Sequence, residues 1–381
     1  MRSGRAIARR VRSRLLLAVA MTGLAGVTAL AGPLGSAPAI TPAPPDFYGV
    51  AATTAMGEKD FARLGRANIH TVRIPMYWPA ISAGRGKYNW LNFDGSVIHA
   101  ADAGVRIVPT LLGSPGFVSD DPLRPPLDST TEQEQWQDFV RSAVERYGPG
   151  GEFWDFVRRC PPDEGHCRPD IPYEPFRTWQ VWNEPNLGAF WQPEPSPARY
   201  ADLLNLTSDA LHSVDPDAEV VTAGITPSRS DAPDAIEGRQ FIAGLYQAGA
   251  AASFDGLGLN PYRRKPKQSV RKVKQTRALT QAYGDGEKPL WITEVGWSTE
   301  GHGNDSTLLT SRKGQARRLT NVMKKLTALR EQLNISSVSW FTYKDITYRL
   351  CDWCWGAGLF SKKGKAKPAW KRYVRVTHGS R

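Results

Sequence analysis

A single (β/α)8 barrel is the fold class the sequence predicts, and three observations predict it. Eight short runs rich in β-branched and apolar residues follow one another, amphipathic segments of helical period lie between them, and no shift of composition marks a second domain. Strands alternating with helices build βαβ units, and eight units close a barrel of about 250 core residues plus loops, whereas an open doubly wound sheet more often has fewer strands. The 381 residues are 41 % hydrophobic, 23 % charged and 10 % aromatic, the balance of a folded chain.

The first element is not part of the barrel. Arg2, Arg5, Arg9, Arg10, Arg12 and Arg14 precede an apolar run from Leu15 to Ala31, followed by small residues and Ala37-Pro38-Ala39. Basic, apolar, then an A-x-A site is the order of a secretory signal peptide, so residues 1–39 are expected to be removed on export and residues 40–45 to form a short Pro/Ala tether. An uncleaved anchor is the alternative, but the run is short for a span, holds Gly23 and Gly26, and ends in Gly32-Pro33. Six of the 49 basic residues and none of the 37 acidic ones fall in this segment, so the formal +12 drops to +6 without it. A nucleic-acid partner loses most of its support. The expected protein is secreted, monomeric and without stable membrane insertion.

The domain, residues 46–381, then runs in order. Strands are expected at Asp46–Ala52, His70–Tyr77, Arg106–Leu112, Thr178–Trp182, Glu219–Ile225, Phe254–Leu259, Pro289–Glu294 and Val338–Tyr343, each brief and mainly apolar, as parallel strands covered by helices are. Helical patterns include Phe93–Ala103, Glu132–Tyr147, Ala198–Val214 and the basic-faced Ser311–Leu333. Gly256-Leu257-Gly258 and Gly356-Ala357-Gly358 match neither a dinucleotide fingerprint nor a phosphate loop, so no nucleotide cofactor is expected.

An even number of cysteines in an exported chain favours disulfides. Cys160 and Cys167 fall before strand 4, at the bottom of the barrel, and Cys351 and Cys354 after strand 8, at the top. The two ends lie beyond the Cα reach of about 7 Å, so the local pairs Cys160–Cys167 and Cys351–Cys354 are expected. Metal is not: Cys351-Asp352-Trp353-Cys354 has the spacing of a redox site or half a zinc site, but six residues separate Cys160 from Cys167 and no suitable histidines follow. Of the six histidines only His302 is placed to reach the barrel top, while His70 begins a strand, His99 and His212 lie in helices, His166 is in the cysteine loop and His378 is near the terminus. A Ser-His-Asp triad has as little to work with, so the chemistry must be that of carboxylates.

In such a barrel the active site stands at the C-terminal ends of the strands. Strand 4 ends in Trp182-Asn183-Glu184-Pro185-Asn186, and strand 7 in Trp291-Ile292-Thr293-Glu294-Val295-Gly296-Trp297. Both glutamates emerge from apolar, tryptophan-rich sequence, a setting that raises a carboxyl's pKa or holds a carboxylate for attack. Placed in this order on these strands, the Trp-Asn-Glu-Pro and Thr-Glu-Val-Gly-Trp segments resemble the catalytic strands of clan A glycoside hydrolases, with families 5 and 39 the nearest. The resemblance extends over the whole mature chain in architecture.

The resemblance implies a retaining glycosidase acting on a β-linked poly- or oligosaccharide, a cell-wall or other extracellular polysaccharide among them, and needing no cofactor. It implies that Glu184 is the general acid/base, that Glu294 is the nucleophile, and that Asn183 hydrogen-bonds the sugar 2-hydroxyl. Arg73 at the end of strand 2 matches the arginine that supports the nucleophile, expected to lower the pKa of Glu294. Tyr262, in Asn260-Pro261-Tyr262 after strand 6, matches a tyrosine that contacts it. Trp340 on strand 8 matches the aromatic floor beneath the sugar. Trp297 and Asn260 are further substrate-binding candidates, although relatives often carry histidine where this chain has Asn260.

Other readings stand beside this one. The same two glutamates serve a transglycosylase, and a barrel without catalysis serves carbohydrate binding. Either glutamate taken singly is a fair buried ion-pair partner, Arg73 a fair interior one, and Trp340 plain core. Trp191, Trp353 and Trp355 are sugar platforms or loop packing, since aromatic faces stack on sugar C–H faces as readily as on side chains. Arg263-Arg264-Lys265 and Lys362-Lys363-Gly364-Lys365 are a solvated surface or, if they flank the cleft, a lure for anionic glycans.

Overall fold

In the computed structural model, eight parallel strands form one barrel: β1 Tyr48–Ala51, β2 Thr71–Tyr77, β3 Arg106–Leu112, β4 Thr178–Val181, β5 Glu219–Thr222, β6 Leu257–Leu259, β7 Leu290–Val295 and β8 Ile335–Phe341. Each pairs with its sequence neighbours, and β1 pairs with β8. Only β5 and β6 lack a continuous ladder. The bridges Val221–Gly256 and Ile225–Leu259, with Ile225 N donating to Gly258 O at 3.1 Å and Asn260 N to Ile225 O at 3.0 Å, complete the ring there. The structure describes residues 43–161, 167–227, 234–301, 306–346, 351 and 353–379. The expected signal at 1–39, the first half of the 40–45 tether, His166 and His302 lie outside them. The described residues belong to one compact unit, Pro42–Arg381.

One main helix follows each strand, α1 Glu58–Arg66, α2 Leu91–Asp102, α3 Thr130–Tyr147, α4 Pro197–His212, α5 Gly238–Gln247, α6 Pro266–Ala282, α7 Arg312–Ala328 and α8 Pro368–Thr377, and the shorter helices Trp78–Ile81 and Glu152–Arg158 lie in the connections. Serines start three of them. Ser129, Ser196 and Ser311 accept from the backbone N–H three residues on, at 3.2, 3.3 and 3.1 Å, which satisfies a donor that the first turn leaves open. Among the described residues no helix is long and apolar enough to cross a membrane.

The element boundaries differ from the sequence reading in instructive places. β1 begins at Tyr48 because Pro45–Phe47 is a 3-10 turn. α7 stops at Ala328, and the chain re-enters the sheet through Asn334 at φ 44°, a left-handed conformation that Asn tolerates. β8 starts at Ile335, three residues early, because Ser337 and Ser339 are buried rather than turn residues. Ser339 sits where Gly49 leaves room: a Cβ on Gly49 would lie 2.6 Å from its Oγ. Small side chains fill the narrow interior, while Trp136, Trp154, Trp179 and Trp182 are buried in the main core.

Both expected disulfides are present, with Cα atoms 5.5 Å apart in Cys160–Cys167 and 5.6 Å apart in Cys351–Cys354.

Candidate active site

The first carboxyl is delivered by a strained turn. Past β4 the chain passes through left-handed backbone at Trp182 (φ 66°) and again at Glu184 (φ 44°). Conformations of this kind cost about 1–3 kcal/mol each and persist only where the surroundings hold them. Here they are held on several sides. Trp182 N donates to Leu111 O at 2.8 Å, its indole N–H donates to Phe190 O at 2.7 Å, and the Asn186 amide donates to Thr226 O and Ile236 O at 2.9 Å each. Glu184 is left 8 % exposed, accepting at Oε1 from Asn260 Nδ2 at 2.8 Å. Burial, and then the charge of Glu294, push its carboxyl up to about 8, against the pull of the Asn260 bond and of Arg73.

The second carboxyl owes its direction to a bulge. Ile292 pairs with Val338 but Val295 pairs with Trp340, so three steps along β7 match two along β8. The extra residue breaks the alternation. Thr293 and Glu294 consequently both reach inward: Thr293 Oγ1 donates to Asn260 Oδ1 at 2.7 Å, while Glu294 receives Arg73 Nη1 at Oε1 (2.6 Å) and Tyr262 Oη at Oε2 (2.7 Å). Arg73 lowers the Glu294 carboxyl, as expected, but burial is the larger effect and leaves it above its usual value. Burial raises the carboxyl, and the Arg73 charge and Tyr262 bond only oppose that rise. Tyr262 is itself pushed well above the usual phenol range by burial and both glutamates, so its O–H stays a donor. With two donors on Glu294, one of them charged, the arrangement favours the negative charge there and the proton on Glu184.

Arg73 is the hub of the layer beneath. Besides Glu294 it donates through Nη2 to Asn183 Oδ1 at 2.8 Å and through Nε to Gln180 Oε1. Gln180 also accepts from Thr110 Oγ1 at 3.1 Å and donates to Thr222 O at 3.0 Å. Asn183 therefore keeps its amide NH2 outside this network. Neither Gln180 nor Thr293 was among the sequence candidates, since a lone polar residue in a strand carries no mark of the face it occupies.

Asn260 joins the two halves, fully buried, with its NH2 on Glu184 and its oxygen receiving Thr293. Gly224 makes room for it: a Cβ there would lie 2.2 Å from Asn260 Oδ1 and 2.4 Å from Thr293 Oγ1.

Two aromatic candidates are not at the mouth. Trp340 has no exposed surface, its indole N–H donates to Ala357 O at 3.1 Å, and it packs against Trp297, which is equally buried and donates to Arg263 O at 2.8 Å. The alternation along β8 puts Trp340 on the outer face and the next residue, Phe341, on the inner one beside Ala51 and Tyr262. Trp191 is loop packing, buried between Trp182 and Tyr200. Trp353 is partly exposed and meets Tyr262 edge-on at 4.9 Å; Trp355 is partly exposed with the Lys362 ammonium 5.4 Å from its ring. Arg264, Lys265, Lys362, Lys363 and Lys365 are exposed. Among the described residues no three His, Cys, Asp or Glu side chains are grouped to hold a metal ion.

No family model and no curated protein matches the sequence. Solved structures do match the fold. A family 39 glycoside hydrolase from the gut symbiont Bacteroides cellulosilyticus is 16% identical with a TM-score of 0.63, over 88% of this chain and 63% of that one. A monomeric β-xylosidase from Caulobacter crescentus is 19% identical with a TM-score of 0.61, over 88% and 68%. A GH5_18 protein from Streptomyces cattleya, solved in complex with Manβ1-4GlcNAc, is 15% identical with a TM-score of 0.58, over 89% and 80%. This chain shares their barrel architecture and spans less than two thirds of the first of them.

Proposed function

We propose that the protein is a retaining glycoside hydrolase that cleaves β-linked oligo- or polysaccharides by double displacement. The observation that carries the reading is the contrast between two buried carboxyls on facing strands. Glu184 is pushed up to about 8 and receives one neutral donor, whereas Glu294 is gripped by Arg73 and Tyr262. A retaining glycosidase needs this division, with one carboxylic acid to protonate the leaving oxygen and one carboxylate, about 5–5.5 Å away, to attack the anomeric carbon. The fold likeness to a family 39 glycoside hydrolase and a β-xylosidase supports the same reading.

Glu184, protonated at neutral pH, gives its proton to the glycosidic oxygen as a Glu294 carboxylate oxygen bonds to the anomeric carbon, and the bond from that carbon to the glycosidic oxygen breaks so that the aglycone leaves as a neutral alcohol. Attachment of the sugar removes the Glu294 charge that helped raise Glu184, so the Glu184 pKa falls and its carboxylate becomes the base that deprotonates the incoming water. Arg73 and Tyr262 aim Glu294, Asn260 aims Glu184, and Asn183, whose oxygen is engaged by Arg73, offers its NH2 to the sugar 2-hydroxyl. Export through the 1–39 segment and action outside the cell complete the reading, and the two disulfides suit an oxidising compartment.

The test is trapping. An aryl 2-deoxy-2-fluoro-β-glycoside with a good leaving group should add one fluoroglycosyl unit to the protein, and peptide mapping should place it on Glu294. Hydrolysis with inversion of configuration and no adduct would refute the proposal.

A further inference from the structure

The sequence after β8 runs Cys351-Asp352-Trp353-Cys354, and among the described residues the Cys354 end is the one tied into the protein. Cys354 is fully buried in an apolar cluster with Ala51, Phe341, Ile346 and Ala357, and its carbonyl accepts from Ala357 N at 2.9 Å. The residues after it are tied down as well. Gly356 N donates to Glu300 O at 2.9 Å, and Gly356 O accepts from Lys367 Nζ at 2.6 Å, an ammonium that also meets Asp345 at 2.8 Å inside the protein. Trp353, by contrast, makes no hydrogen bond among the described residues. It is held by ring contacts, edge-on to Tyr262 at 4.9 Å and tilted to Phe341 at 5.9 Å, and by the disulfide that closes the four-residue loop around it. Part of its surface stays open. The ring it touches belongs to the residue whose hydroxyl bonds Glu294.

We propose that Trp353 is a stacking platform for a pyranose unit of the substrate and that the Cys351–Cys354 bridge is what holds the platform in place. This rests on the glycosidase reading. An indole presents a large apolar face to sugar C–H groups and an N–H that no described residue accepts, at little cost in lost side-chain freedom. A platform without backbone hydrogen bonds would have to be ordered at each binding event unless a covalent link had done so beforehand. The bridge supplies that link, carrying the fixity of Cys354 back across Trp353 to Cys351.

The experiment compares Trp353→Ala, Trp353→Phe, Cys351→Ser/Cys354→Ser and, as a control remote from the loop, Cys160→Ser/Cys167→Ser. Substrates are whichever 4-nitrophenyl β-D-xyloside, glucoside or mannoside the protein cleaves, and xylotriose, cellotriose or mannotriose to match. Trp353→Ala should raise KM for the trisaccharide about tenfold, the worth of one aromatic contact of about 1.4 kcal/mol, with the loss in KM rather than kcat and the pH profile unmoved. Trp353→Phe should recover most of it. Opening the bridge should raise KM in the same direction, and the control should not. An unchanged KM in Trp353→Ala, a loss confined to kcat with displaced pH limbs, or an equal effect of the control would overturn the proposal. If the wild-type protein cleaves none of these glycosides, the glycosidase reading has failed, and calorimetric titration with the trisaccharides decides the platform alone: weaker binding by Trp353→Ala supports it, equal binding overturns it.

Discussion

Arg73 and Glu294 form a buried ion pair, Nη1 to Oε1 at 2.6 Å, with side chains only 6% and 8% exposed. The arginine is one of the groups opposing the rise that burial imposes on Glu294. Arg73→Met should let that carboxyl climb further, so the acid limb of the pH profile of kcat/KM should move to higher pH. Removing a preorganised donor at a reacting group typically costs about 100-fold or more in rate, and kcat/KM should fall by that order. An acid limb that stays in place would show that Arg73 does not govern Glu294.

Glu184 gives a second, independent pH signature. Its carboxyl rises from an ordinary 4.5 to about 8 on folding, so the folded protein prefers the proton. The corresponding stability is fully present below about pH 4.5 and is lost as pH rises through about 8. Glu184→Gln cannot ionise and still accepts from Asn260. The variant should therefore exceed wild type in stability at pH 9 by on the order of 5 kcal/mol, with the gap closing by pH 4, as urea unfolding at both values would measure. Activity of the wild type should decline above about pH 8 for the same reason. A stability gap independent of pH would contradict this account of Glu184.

The two glutamates were legible in the sequence because each sits in a short polar break within an apolar strand end, and a strand end is where a barrel puts its chemistry. What surrounds them was legible only in part, because face assignments along a strand depend on an unbroken period of two. At β7 a bulge breaks that period, and Thr293, a neighbour of Glu294, joins it inside the barrel. At β8 two aromatics stand side by side, and a slip of one residue separates Trp340 on the outer face from Phe341 on the inner one. Gln180 and Lys367 carry a further difficulty. Their partners, Arg73 and Asp345, lie 107 and 22 residues away and are brought to them only by the closure of the barrel and the fold of the last loop.

Gly224 is a position where a single methyl group should reach the chemistry without touching a glutamate. Its added Cβ would collide with Asn260 Oδ1 and Thr293 Oγ1, both buried and both bonded, so Gly224→Ala should displace the amide that aims Glu184. Overpacking of this kind typically costs about 1–3 kcal/mol, and kcat/KM should fall about tenfold on a substrate that needs acid assistance, as a misplaced proton donor would have it. A substrate with a very good leaving group should suffer much less in the first step. Equal losses on both substrates would place the damage elsewhere.

The roles of the two carboxyls can be separated by one reagent. Glu294→Ala forms no glycosyl-enzyme and should lose nearly all activity, but the space it vacates beneath the anomeric carbon admits a small anion such as azide. Azide then attacks once, from the face Glu294 would have used, and the glycosyl azide should have inverted configuration. Glu184→Ala should still form the intermediate quickly from an activated aryl glycoside, because that leaving group needs no acid, and then stall for want of a base. Azide needs no base. It should attack the intermediate from the face opposite Glu294 and return a product of retained configuration. The proton spectra of the two products distinguish the outcomes directly, and the same configuration from both variants, or full activity in either, would mean that these two glutamates do not divide the work in this way.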